Sequence, residues 1–289
     1  MDISKLKTSR KREQQLEHLS PFELKDNLIT LASDQQQKPI RTMLNAGRGN
    51  PNWTATVPRE ALFTLGHFGI IECKRAFEKS TGMAGIPQKE GIAKRFEDFL
   101  NNNKQLPGID LLKGLYEYGV KKHNFTPDDW VHELAEGVIG DQYPSPVRML
   151  RHTEVIVHDY LIQEMCGNKP QRSGKYDLFA VEGGTAAMCY IFDSLIENCL
   201  LKKGDKIALG VPVFTPYLEI PELARYQFKV TYIHGSAKDE NGNSTFQYPE
   251  EELEKLGDKS IKAFFIVNPS NPTSVEMADD SRKYLGKVG

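Results

Sequence analysis

A few short stretches of this 289-residue chain carry residue types at spacings that could do chemistry. Glu182-Gly183-Gly184-Thr185 ends an apolar run and opens a helical pattern. Backbone N–H groups at a helix start are unpaired and carry partial positive charge, so such a turn can hold a phosphate or another anion. Val211-Pro212-Val213-Phe214-Thr215-Pro216-Tyr217 holds an aromatic residue between prolines, where it can stack on a planar ring. Asn268-Pro269-Ser270-Asn271-Pro272-Thr273 has two Asn-Pro units in one turn, and an Asn fixed there can donate to a phenolate-like oxygen. Finally, Asn45-Ala46-Gly47-Arg48-Gly49-Asn50-Pro51 places a forked, permanently charged guanidinium at the tip of a glycine loop, which suits a carboxylate. Each stretch taken alone has a plain structural reading as well: a strand–helix connection, a core aromatic, a surface turn.

The elements that must position these residues follow from hydrophobic periodicity. Residues 176–181, 206–211, 229–233 and 261–267 read as strands. Between them, 185–203, 217–225 and 249–256 read as helices. Met188, Ile191, Phe192, Leu195, Ile196, Cys199 and Leu200 fall at the spacing of one buried face. Strands alternating with helices imply parallel pairing, so the turns after the strands share the C-terminal edge of one sheet, where α/β proteins bind ligands. Upstream the pattern is helical: 4–18, 21–34, 58–79, 88–101, 111–122, a helix opened by Thr126 and Pro127, and 146–165. The expected parts are an N-terminal arm and glycine loop (1–56), a helical insertion (57–140) and a ligand-binding α/β region (141–289).

Composition is that of an ordinary globular protein, with 39% hydrophobic and 26% charged residues and a net charge of −2. Nothing there points to nucleic acid or a membrane surface as a partner. The basic residues Lys5 to Arg12 read as a helical arm. No apolar h-region or membrane-length run is present, so a cytoplasmic location is expected. The four cysteines form no C-x-x-C pair, and Cys189 and Cys199 are expected to face the core. His67, His123 and His132 lack metal-ligand spacing, and no metal is expected.

In their order along the chain, the glycine turn, the proline-framed aromatic and N-P-x-N-P-T resemble the fold-type I pyridoxal-phosphate enzymes of the aminotransferase class. The loop around Arg48, the long helical segment before Tyr143, and Val181-Glu182-Gly183-Gly184-Thr185-Ala186-Ala187-Met188 are most similar to the aspartate 4-decarboxylase family within that class. The resemblance implies pyridoxal 5'-phosphate as cofactor. It gives Gly183, Gly184 and Thr185 to the phosphate, Phe214 to the pyridine ring and Asn271 to the ring hydroxyl oxygen. Tyr143 would reach the phosphate site of a neighbouring subunit, hence a dimer or larger homo-oligomer. Gly47, Arg48 and Asn271 are the implied substrate contacts. The implied reaction is β-decarboxylation of L-aspartate to L-alanine and CO2, with transamination as a side activity.

In that family the Schiff-base lysine, the aspartate at the pyridinium nitrogen and the arginine for the substrate α-carboxylate all follow the N-P-T turn at a distance. Lys283 and Lys287 come too early, so no catalytic residue is assigned, and the sequence reads as an N-terminal piece, inactive by itself. Another aspartate or aromatic aminotransferase, or a non-catalytic truncated product, are the competing readings; the helical insertion disfavours the former. Arg48→Ala is expected to raise KM or to shift the ratio of decarboxylation to transamination; steady-state kinetics in which neither moves would take Arg48 out of the site.

Overall fold

The fold is that of a computed structural model describing residues 16, 19, 21–34, 54–77, 85–140, 147–167, 169 and 176–288. It divides into two compact units: Gly49–Ala180, and Val181–Gly289 together with the N-terminal helix α1 (Pro21–Asp34). The helix expected over 4–18 (apart from residue 16), the loop carrying Gly47 and Arg48, and Tyr143 lie outside the described residues.

The first unit is helical. Its helices are α2 (Thr56–Arg75), α3 (Ile92–Asn102), α4 (Ile109–His123), α5 (Pro127–Ile139) and α6 (Arg151–Cys166). Ala61, Leu65, Phe68 and Glu72 sit three and four residues apart and form the buried face of α2. Ile92, Phe96, Phe99 and Leu100 do the same for α3, and Trp130, Val131 and Ala135 for α5. Phe68 is the hub, with ring centroids 4.8 Å from Phe96 and 5.4 Å from Phe99. Gly108 lets the chain turn into α4: its φ is +77°, and a Cβ there would lie 2.2 Å from the Ala61 nitrogen. Asp128, on the first turn of α5, accepts the Gly91 and Ala93 N–H groups, both at 2.9 Å, and so caps α3. These two bonds hold its carboxyl below the usual aspartate range.

The second unit is an α/β layer. Helix α7 (Gly184–Glu197) leads to strand β1 (Lys206–Val211), the short helix α8 (Pro216–Glu219), strand β2 (Lys229–His234), the short helix α9 (Glu250–Leu253), strand β3 (Ile261–Phe265) and helix α10 (Asp279–Val288). The sheet has the order β2-β1-β3, with β1 parallel to both neighbours. Lys206 pairs with Lys229 on one side and Ile261 on the other. Both faces are covered, as parallel sheets require. Met188 and Phe192 of α7 pack with Ile207, Tyr226 and Phe228, and Leu253, Tyr284 and Leu285 pack with Ala208, Ile233 and Phe264.

The structure corrects several sequence-based expectations. Residues 176–181 form no strand. Instead, the Leu178 N–H donates to Glu154 Oε1 at 3.2 Å and its carbonyl accepts from Arg148, so side chains satisfy the backbone in place of a ladder. Helix α7 stops at Glu197, leaving Cys199 beyond its end, exposed and with φ +60°. Only Met188 and Phe192 of its apolar set are fully buried, while Ile191 and Leu200 face outward. The helix expected over 217–225 is one α turn followed by the 3₁₀ turn Ile220–Glu222, because Pro221 cannot continue an α-helical ladder.

Glu72 is the buried charge of the helical unit, 1% exposed. Burial opposes its ionisation, but hydrogen bonds and charge from Arg95 and Arg75 prevail and hold its carboxyl below the ordinary 4.5. Arg95 Nη2 lies 2.8 Å and Arg75 Nη2 3.1 Å from Glu72 Oε2. A carboxyl more acidic when folded contributes stability above its unfolded pKa and loses it as pH falls through the folded value. Glu72→Ala is expected to cost about 2–4 kcal/mol, since it leaves two guanidinium groups without their anion; urea unfolding at pH 7 checks this, and the difference from wild type should shrink as pH drops below about 4.5.

Candidate functional site

The C-terminal ends of β1 and β3 lie side by side, since Leu209 pairs with Phe265. The turns following these strands therefore emerge at one sheet edge. The residues after β1 carry Phe214, 36% exposed and so presenting a ring to solvent. The residues after β3 carry the double Asn-Pro turn. Ser270 Oγ donates to the Pro212 carbonyl at 3.3 Å and ties the two turns together. The peptide bonds Val211-Pro212, Asn268-Pro269 and Asn271-Pro272 are cis.

The two asparagines of that turn have different roles. Asn268 Oδ1 accepts the Met277 N–H at 2.8 Å and pins the turn to the segment entering α10. The side chain of Asn271 is exposed, and its amide remains free for a ligand. Thr273 Oγ1 is buried and, among the described residues, meets no partner.

The glycine turn sits at the start of α7. Gly183 has φ +104° and ψ 175°, a conformation reserved for glycine. Its carbonyl accepts the first helical bond, from the Ala187 N–H at 3.0 Å. The N–H groups of Gly184, Thr185 and Ala186 consequently have no intrahelical acceptor, and no side chain caps them. A Cβ built on Gly184 would come 3.4 Å from the Tyr217 hydroxyl, which places α8 against the glycine turn. Tyr217 is edge-on to Phe214, with centroids 6.3 Å apart and planes at 70°. The structure thus links Gly183, Gly184 and Thr185 to Phe214 through Tyr217, and Phe214's loop to Asn271's turn through Ser270. Glu182 beside the turn accepts from the Tyr190 hydroxyl at 3.3 Å, and its charge raises the Tyr190 pKa.

Sequence reasoning took Tyr217 only as the end of the proline-framed stretch. Its position three residues after Phe214, in the first turn of a helix, is the signal that places both rings on neighbouring positions. Ser270 carried no sequence signal, because the bond it makes is to a residue 58 positions away.

The helical unit has a cleft of about 710 Å³ lined by Lys89, Asp129, His132, Glu133, Glu136 and His152 among others. Most of its charges are paired locally. Lys89 pairs with Asp129, His132 lies 3.0 Å from the Pro87 carbonyl and 3.3 Å from Glu136, and Glu133 accepts from His152 Nδ1 at 2.8 Å. None of the described sequence-predicted site residues lines it. Among the described residues no cluster of His, Cys, Asp or Glu could hold a metal ion, and no helix is long and apolar enough to cross a membrane.

Chemically, the second unit presents free backbone donors for an anion, an aromatic face and an amide at one parallel-sheet edge. The second unit is thus of the α/β class, with unpaired backbone donors that suit an anion close to an exposed aromatic ring. No protein-family model matches the chain. The chain is 49% identical over 264 residues, 91% of its length, to a bifunctional aspartate aminotransferase and L-aspartate beta-decarboxylase of Pseudomonas sp, and is homologous to it. It spans 48% of that relative, about half its length. Asn268→Ala is expected to destabilise the second unit by about 1–2 kcal/mol, and Asn271→Ala to stay within about 0.5 kcal/mol of wild type; denaturant titration of both variants separates the structural amide from the free one.

Proposed function

We propose that this chain forms part of a pyridoxal 5'-phosphate-dependent enzyme that releases CO2 from the β-carboxylate of L-aspartate to give L-alanine, with transamination as a side reaction. The observation that carries this reading is the 49% identity, over 91% of the chain, to a relative that bears both activities in its name. The residues fit the cofactor. The uncapped N–H groups of Gly184, Thr185 and Ala186 match a phosphate, and Gly183 leaves the approach open. Phe214 offers its face to the pyridine ring and Asn271 its amide to the ring hydroxyl oxygen. When bound, the cofactor supplies an electron sink for bond cleavage at the α- and β-carbons of the substrate.

The chain's own contribution is to bind and orient. The glycine turn fixes the phosphate end, and Phe214 fixes the plane of the ring. By setting that plane, Phe214 would orient the substrate bonds relative to the cofactor's electron sink. Arg48, flanked by Gly47, is proposed to fork a substrate carboxylate. Tyr143 is proposed to serve the phosphate site of a second copy, making the assembly a dimer or larger homo-oligomer. Residues 1–56 are taken as arm and glycine loop, 57–140 as a helical insertion, and 141–289 as part of the cofactor-binding α/β fold of fold-type I. No lysine of this chain is assigned to the cofactor carbonyl. No nucleic acid or membrane partner enters the reading, and the location is cytoplasmic.

The full natural chain that carries this sequence, supplied with pyridoxal phosphate and L-aspartate, is expected to release CO2 and L-alanine in equal amounts. Oxaloacetate formation without CO2 from the β-carboxylate, in the presence of a keto-acid acceptor, would identify a plain aminotransferase instead. Turnover unaffected by removing pyridoxal phosphate would overturn the cofactor assignment.

A further inference from the structure

The geometry points to Tyr217 as a further positioning residue of this site: its phenolic hydroxyl is a side-chain donor to the cofactor phosphate, beside the backbone donors of the glycine turn. The inference rests on the function proposed above and adds a residue that neither the motifs nor the comparison assigns.

Tyr217 is held at both ends of its side chain. Its ring packs against the core formed by Met188, Phe192, Ile207 and Ile220, so the direction of the Cα–Oη axis is set by the same cluster that fixes α7. The oxygen emerges at the start of that helix, 3.4 Å from where a Gly184 Cβ would stand. A tyrosine whose ring is packed and whose hydroxyl reaches a polar edge ordinarily finds a hydrogen-bond partner. Among the described residues this hydroxyl has none, although those of Tyr116, Tyr190 and Tyr226 all bond to carboxylates. The start of α7 beside it carries N–H groups that no side chain caps. The phenol O–H and these N–H groups can all donate to one shared acceptor. An anion carrying several acceptor oxygens, placed over the turn, satisfies all of them together. Phosphate has that form, and its bonds to donors are of the stronger, charge-assisted kind.

The same short segment also carries Phe214, whose ring stands nearly perpendicular to that of Tyr217. One ring is thereby available face-on to the cofactor ring while the other directs its hydroxyl toward the phosphate end. The spacing of three residues sets both positions at once, so the phosphate and ring contacts are coupled through one short segment that contains Pro216.

The test compares pyridoxal phosphate with pyridoxal, which lacks the phosphate, by fluorescence titration of the cofactor-free full natural chain. Wild type should bind pyridoxal phosphate far more tightly than pyridoxal. Tyr217→Phe keeps the packed ring and removes one oxygen. It should weaken pyridoxal phosphate about tenfold, as expected for one bond to a charged group, and leave pyridoxal unchanged. Thr185→Ala serves as the control for the turn itself. If Thr185→Ala narrows the preference for the phosphorylated ligand and Tyr217→Phe does not, the assignment of Tyr217 is wrong and the phosphate site stands. If wild type shows no preference, the phosphate site falls and Tyr217 with it. An equal loss of both ligands in Tyr217→Phe, or a lowered melting temperature, would mark the hydroxyl as a packing element and overturn the inference.

Discussion

Phe192 is wholly buried, and around it three aromatic rings meet edge-on. Tyr226 and Phe228 lie with centroids 5.3 Å away, and Phe265 lies 5.0 Å away. Tyr226 and Phe228 lead into β2, and Phe265 ends β3. One side chain of α7 thus locks the helix against the sheet from both flanks of the central strand. Burial of such a ring contributes about 3 kcal/mol, and each well-oriented aromatic pair about 1 kcal/mol more. Edge-to-face contacts also fix the rotation of α7 about its axis, which area burial alone does not. The glycine turn is the first residue pair of that helix, so its position relative to the strand ends follows from this packing.

From that constraint the site assembles without any strong bond. The register between β1 and β3 brings the Phe214 loop beside the double Asn-Pro turn. Ser270 closes the gap between the turns, and Tyr217 closes the gap between Phe214 and Gly184. Turns held in this way present their donors, ring and amide in one fixed arrangement.

The helical unit follows a different logic. Its core is aliphatic and aromatic, and Glu72, a deeply buried charge, is bonded to two arginines. Its cleft carries many ionisable groups, and most of these are paired locally, Lys89 with Asp129 of α5 and His152 of α6 with Glu133 of α5. Pairing of that kind stabilises a fold and leaves little unspent affinity for a ligand. The contrast with the first turn of α7, where donors stand without acceptors, is what separates the candidate site from the rest of the polar surface.

Sequence by itself determined the parallel alternation of strands and helices, the bounds of β1 and the start of α5 at Pro127, because each is set by local periodicity and by proline and glycine conformations. Tertiary structure alone decided the rest. Residues 176–181 have the composition of a strand, but Arg148 and Glu154 occupy their backbone groups and no ladder forms. Asn268 and Asn271 look equivalent in the motif, and only the Met277 N–H makes one structural and leaves the other free. Asp128 reads as an ordinary first-turn acid of α5, and only the neighbouring helix shows it capping α3. Cys199 fits the apolar face of α7 by spacing, but the helix ends before reaching it. The physical reason is common to all four: periodicity records what a residue offers its own element, whereas hydrogen-bond partners outside that element, and the point at which a helix loses its support, depend on what the folded chain brings alongside.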